Sequence, residues 1–218
     1  MKKTTEAQTT GPRTTNHGTT ELDDSWSEGP VVRSLVVSGP VVRGPVVPPL
    51  DKFSRVKLFL CDVDGVLTDC SVFMDGKREM KQWNIQDGLG LRLLQRFGIK
   101  VGWISGRASP ATEQRARDLQ IDFLRQGKES KVAVVESLLA ETGLKWADVC
   151  FMGDDLLDCG AMKRARVAVS VPDGCDEAKR LAHYVTTARG GHGAVREVVT
   201  LILKAQKKWR LLAEEYAR

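Results

Sequence analysis

Long apolar runs are missing from this 218-residue chain. No stretch approaches the roughly 18 consecutive apolar residues that a membrane helix needs, so no membrane association is expected. The start, MKKTTEAQTT, carries two lysines but no apolar segment behind them, so no secretory signal is read there. Cysteine is sparse: five residues, at 61, 70, 150, 159 and 175, with no C-x-x-C pair. That argues for idle thiols in a reducing, cytoplasmic compartment. Aromatic residues make up 6% and do not interleave with a basic stripe, which speaks against a nucleic-acid partner. No P-loop occurs, and the glycines of 190–193 lack dinucleotide spacing. His183 and His192 have no partner at metal-ligand spacing and are read as structural.

What is present suffices for one domain with an appendage. Apolar residues make up 42%, enough for a real core. The net charge is +5; residues 1–50 hold five basic and five acidic groups, so the excess lies in 51–218 and suits an anionic ligand. Residues 1–50 are rich in Thr, Gly, Pro and Ser and contain a near-repeat, GPVVRSLVVS then GPVVRGPVVP. Proline and glycine at that density forbid a helix and weaken a strand, so a disordered or loosely extended tail is expected. The folded domain is expected over 51–218.

From residue 51 the pattern becomes regular. Strands are expected at 56–61, 99–104, 121–124, 149–152, 167–171 and 184–186. Asp75-Gly76 between two extended runs, 71–74 and 78–83, predicts a β-hairpin. Helices are expected from an N-cap at Asp87 to Gly98, from Ser109-Pro110, from about 130 to Gly143 and from Asp155, with a long last helix from 193 to about 216. Strands alternating with helices predict an α/β fold: a Rossmann-like, mainly parallel sheet with helices on both faces and a small hairpin insertion. Ligands of such sheets sit beyond the carboxyl ends of the strands.

Several strands and one helix start deliver chemistry there. The first strand runs into CDVDGVLTD and so into Asp62 and Asp64. The next core strand runs into Ser105, Gly106 and Arg107. Lys131 opens a helix, and Gly153 to Asp158 (GDDLLD) follow a later strand. Carboxylates gathered at one rim repel unless a cation joins them, and Mg2+, with its preference for oxygen ligands and phosphate, fits. Asp62 is the candidate nucleophile toward phosphorus and Asp64 the candidate acid and base. Ser105 and Lys131 are read as holding phosphoryl oxygens, and Asp154, with Asp155 or Asp158, as completing the metal site. Arg107, Arg78 and Arg196 are the cations read as meeting the substrate; each has a solvated-surface alternative.

This layout resembles the haloacid dehalogenase superfamily of phosphohydrolases, through DVDGVLTD (62–69), the serine of ISGR (104–107), Lys131 and GDDLLD (153–158). The resemblance implies metal ligation by Asp62, Asp154 and the backbone carbonyl of Asp64, with Asp155 and Asp158 in or near the next layer. VLTD, the hairpin SVFMDGKREMKQW, NIQDGLGLRLL and GGHGAVRE look like the 3-deoxy-D-manno-octulosonate 8-phosphate phosphatase family. That implies a small acidic sugar phosphate as substrate. Here Cys70 stands where that family is expected to have glycine, and Gln86 and His192 where it is expected to have arginine. Phosphatases of sialic-acid-type 9-phosphates share much of the pattern. The gaps between motifs hold no cap domain, so the fold is expected to be capless. The resemblance implies a homotetramer in which hairpins pack together and segment 189–196 reaches a neighbour's site. A phosphatase of nucleic-acid termini and a receiver-like signalling domain are the competing readings. The Asp-x-Asp order at the first strand argues against the latter.

Overall fold

The computed structural model describes residues 48–218. The tail expected over residues 1–50 therefore lies almost wholly outside the described residues. In chain order the elements are α1 (Leu50–Phe53), β1 (Leu58–Cys61), β2 (Phe73–Asp75), β3 (Arg78–Met80), α2 (Ile85–Arg96), β4 (Lys100–Ser105), α3 (Pro110–Asp118), β5 (Phe123–Gln126) and α4 (Lys131–Thr142). There follow β6 (Val149–Met152), α5 (Cys159–Arg164), β7 (Val167–Ser170), α6 (Asp176–Leu181), β8 (Tyr184–Val185), α7 (Ala194–Ala205) and α8 (Trp209–Tyr216). Six strands form one sheet in the order β5-β4-β1-β6-β7-β8, and every neighbouring pair is parallel. β2 and β3 make a separate antiparallel hairpin. Among the described residues nothing larger than this hairpin and α2 lies between β1 and β4, as expected of a capless fold. No helix among the described residues is long and apolar enough to cross a membrane.

The sheet is covered on both faces, and β1 shows why its residues are all apolar. Phe59 and Cys61 join a core built with Leu91 and Leu94 of α2 and with Val195, Val198, Val199 and Ile202 of α7. Leu58 and Leu60 point the other way, into a core with Val135 and Leu138 of α4 and Met162 of α5. A strand buried on both faces has no polar side to alternate with.

Some boundaries differ from the sequence reading, each for a local reason. Asn84, not Asp87, caps α2: its side chain accepts hydrogen bonds from the Gln86 and Asp87 N–H groups at 2.8 and 3.2 Å. Asp87 instead crosses to the start of α7, where its carboxylate accepts from the N–H of Gly193 (3.2 Å) and of Arg196 (2.7 Å). β5 begins two residues late, because Gln120 turns the chain at φ +50° and Asp122 is drawn to the Val101 N–H and the Lys100 ammonium. The segment after Asp155 first makes a 3-10 turn, Leu156–Asp158, before α5. The expected long last helix is two helices, broken where Lys207 adopts φ +59°. Ser109 caps α3 with proline at N1, and Gly143 ends α4 in the left-handed conformation, both as expected.

Candidate active site

β1, β4 and β6 are adjacent, so their carboxyl ends place Asp62, Ser105 and Asp154 side by side. They open into a cleft of about 390 Å³ lined by Asp62, Asp64, Ser105, Gly106, Arg107 and Asp154. Cys70, Val72, Asp155 and Leu157 form the rest of its wall.

Lys131, the first residue of α4 and almost wholly buried, sits between two carboxylates, 2.9 Å from Asp62 Oδ2 and 2.6 Å from Asp158 Oδ1. Burial works to lower its pKa, but Asp62 and Asp158 outweigh that and hold it above the ordinary lysine value. Asp62 Oδ1 accepts the Val63 N–H at 2.6 Å. Burial, together with the charge of Asp158, lifts the Asp62 carboxyl to about 6 against the pull of Lys131. Asp158 is fully buried and spoken for: Oδ1 takes Lys131, and Oδ2 accepts from the N–H groups of Asp154 and Asp155 at 3.0 and 3.1 Å. It therefore shapes the turn that carries Asp154.

Asp154 is the misfit. Its Oδ1 is buried without a hydrogen-bond partner among the described residues. Burial, then the nearby Asp62 and Asp158, push its carboxyl up to about 8. A buried oxygen with nothing to bind is costly. Oxygens of Asp62, Asp154 and Asp158 lie within 4.8 Å of one another. Asp158 is already engaged, so Asp62 and Asp154 are the two carboxylates left to face a cation, and an all-oxygen set of this size suits Mg2+. Gly65, at φ +97°, lets the backbone pass beside this pair: a β-carbon there would collide with the Asp154 carboxylate. Gly190 is pressed equally closely onto the Gly65 carbonyl, which seats the 190–193 turn against the loop after β1.

The other side of the cleft is an ion-pair network that the sequence reading did not name. Asp64 Oδ1 accepts from Lys81 Nζ at 2.7 Å, and Arg107 Nε lies 3.3 Å from Oδ2. Lys81 follows β3, its side chain is fully buried, and it also donates to Thr112 Oγ1 at 3.1 Å. Arg107 is held in turn by Glu79, whose carboxylate is 2.6 Å from the guanidinium and accepts the Ser109 hydroxyl at 2.5 Å. The bond from Arg107, ahead of Ser109 and Lys81, drags the Glu79 pKa down to about 2 despite some opposing burial. A signal for this did exist: Glu79 and Lys81 alternate with exposed Arg78 and Met80, so one strand face carries two charges turned inward. Ser105 Oγ donates to the Arg107 carbonyl at 3.0 Å, and Asp155 turns to cap its own 3-10 turn.

Two expected substrate cations stand elsewhere in this single chain. Arg78 is exposed on the hairpin opposite Asp75, and Arg196 lies over the Trp209 ring at 5.1 Å; neither lines the cleft. His192 bonds the carbonyl of Gly190 through Nδ1, and Gln86 is exposed. Cys70 does line the cleft, held at φ +69°.

No protein-family model matches the chain. A curated 3-deoxy-D-manno-octulosonate 8-phosphate phosphatase from Yersinia pestis is 40% identical over 160 residues, 73% of this chain and 86% of the relative. A solved phosphatase of the same name from Moraxella catarrhalis, crystallised with magnesium, phosphate and a KDO molecule, is 38% identical. It superimposes with a TM-score of 0.75 over 77% of this chain and 97% of that one. A haloacid dehalogenase superfamily (subfamily III A) hydrolase from Legionella pneumophila is 34% identical with a TM-score of 0.74, over 77% of this chain and 93% of that one.

Proposed function

Because this chain belongs to the 3-deoxy-D-manno-octulosonate 8-phosphate phosphatases of the haloacid dehalogenase superfamily, we propose that it is a Mg2+-dependent phosphomonoesterase of that acidic sugar phosphate, working through an aspartyl-phosphate on Asp62. The observation that carries the reading is the pairing of Asp62 with the orphaned Asp154 oxygen, beside Lys131 and Ser105.

Asp62 and Asp154 would hold the ion, with the Asp64 carbonyl as the third protein oxygen. The ion supplies charge neutralisation at the transferring phosphoryl group. Lys131 stands beside the Asp62 oxygen and Ser105 across the cleft, placed to hold phosphoryl oxygens. An Asp62 oxygen attacks phosphorus, the bond from phosphorus to the sugar oxygen breaks, and Asp64 gives that oxygen a proton. Water then attacks phosphorus, its proton passes to Asp64, and the bond to Asp62 breaks to release inorganic phosphate.

The cleft volume suits a small sugar phosphate, and the names of the relatives support the octulosonate. Within one chain, Arg107 is committed to Glu79 and Asp64, and no other guanidinium among the described residues lines the cleft. Cations for the sugar's carboxylate would then come from a neighbouring subunit, through segment 189–196, in a homotetramer whose hairpins meet.

The test is phosphate release from a panel of sugar phosphates with Mg2+. The 8-phosphate of the octulosonate is expected to lead, EDTA to abolish turnover, and Asp62→Asn to lower kcat at least about 1,000-fold. Preference for a sialic-acid-type 9-phosphate, or for a phosphorylated oligonucleotide end, would replace the substrate. A stable phosphoenzyme without turnover would replace the reaction.

A further inference from the structure

A lysine with no exposed side-chain surface needs a reason, since burying an ammonium is costly unless it is paired. The pairing of Lys81 is specific: Nζ stands 2.7 Å from Asp64 Oδ1, 3.1 Å from Thr112 Oγ1 and 3.7 Å from Glu79 Oε1. Three elements thus meet at one nitrogen: the loop after β1, the N-terminal turn of α3 and the return arm of the hairpin. Asp64 opens the turn after β1, and the contacts that fix its carboxylate are Lys81 on Oδ1 and the longer, 3.3 Å approach of Arg107 on Oδ2. Held on both oxygens, and more closely on Oδ1, the carboxylate is fixed in one orientation where Asp64 lines the cleft.

We propose that Lys81 is a positioning residue for proton transfer: it aims Asp64 at the leaving-group oxygen, and the hairpin is thereby part of the catalytic apparatus as well as an edge feature. This rests on the reading of Asp64 as general acid. Thr112 serves the arrangement one step further out, by fixing the Lys81 ammonium. Lys81 does not line the cleft, so substrate affinity is not its business.

The leaving group supplies the test. Loss of a well-aimed acid slows esters whose departing alkoxide needs a proton and spares those, such as p-nitrophenyl phosphate, whose leaving group departs unaided. The ratio is read in kcat/KM, which excludes the later hydrolysis of the phosphoenzyme. In the Mg2+-loaded enzyme, Lys81→Met is expected to lower kcat/KM for a sugar phosphate by about 30-fold and for p-nitrophenyl phosphate by no more than about threefold. KM for the sugar phosphate and the Mg2+ half-saturation should not move. Lys81→Arg should recover most of the loss, and Thr112→Val, which leaves the charge in place, should show a smaller loss with the same selectivity. Equal slowing of both esters by Lys81→Met and by Thr112→Val would overturn the proposal, since a loosened fold does not sort leaving groups. Asp64→Asn separates the two layers. If it is selective and Lys81→Met is not, positioning fails alone; if Asp64→Asn slows both esters equally, the acid role fails and the proposal with it.

Discussion

Cys70 is where this chain departs most visibly from its own motif. A left-handed backbone crowds a β-carbon against the neighbouring carbonyl, at a cost of roughly 1–2 kcal/mol for a non-glycine residue. Glycine at that position relieves the crowding but loses more entropy on folding, about 0.5–1 kcal/mol. The balance favours glycine slightly. Cys70→Gly is expected to raise the denaturation midpoint by the equivalent of about 0.5–1 kcal/mol, read in urea with an unchanged slope. A lower midpoint would mean that the thiol makes contacts in the cleft wall worth more than the strain. Asp62 and the acids after β6 stood out as candidates at this scale because each follows directly from an apolar run, and Lys131 because it opens a helix on the same side. Lys81 was not, because its partner lies 17 residues away and only the folded hairpin brings them together.

Among the elements, the hairpin is the one held by charge rather than by apolar packing. One face carries the exposed pair Phe73 and Met80; on the other Met74, also exposed, pairs in register with Glu79, which is tied to Arg107 and Ser109. Glu79 sits at about 2 in the fold against an ordinary 4.5. A depressed carboxylate contributes stability above its unfolded pKa and loses it as pH falls toward its folded value. The contribution should be complete above about pH 4.5 and fade between there and about pH 2. Comparing parent with Glu79→Gln by thermal melting, a deficit of about 1 kcal/mol is expected at neutral pH, kept modest by solvent access at the rim. It should shrink through that acid window. A deficit that grows on acidification would contradict the assignment. Asp87 teaches a related lesson. In sequence it reads as a cap for its own helix, and in space it caps another one across 106 residues. Asn84, three residues earlier, takes the local duty, and short-range capping rules cannot choose between two candidates one turn apart.

At the level of the whole molecule, alternation of strands and helices was enough to anticipate the sheet, since apolar β-runs between amphipathic helices have few other ways to be covered. The break between α7 and α8 was not, because the apolar period continues across it and nothing in composition marks Lys207. Exposure of Phe73 and Met74, at 54% and 62%, leaves an apolar surface that a lone chain does not cover with described residues. If hairpins meet in a homotetramer, Phe73→Glu should shift the mass in solution toward smaller species and lower activity with it. A fully active monomer would separate assembly from catalysis.

The position of β1 has a consequence for biosynthesis. It is the first of the described strands to leave the ribosome, yet it lies between β4 and β6, and β6 is made last of the three. A nascent chain that has emerged only as far as β4 bears Asp62 on a half-paired strand, without Asp154 or the turn that seats it. With Asp62 and Asp154 as the proposed metal ligands, competence to capture the ion would arrive late in translation, and a chain cut short before β6 is expected to be inert as well as unfinished.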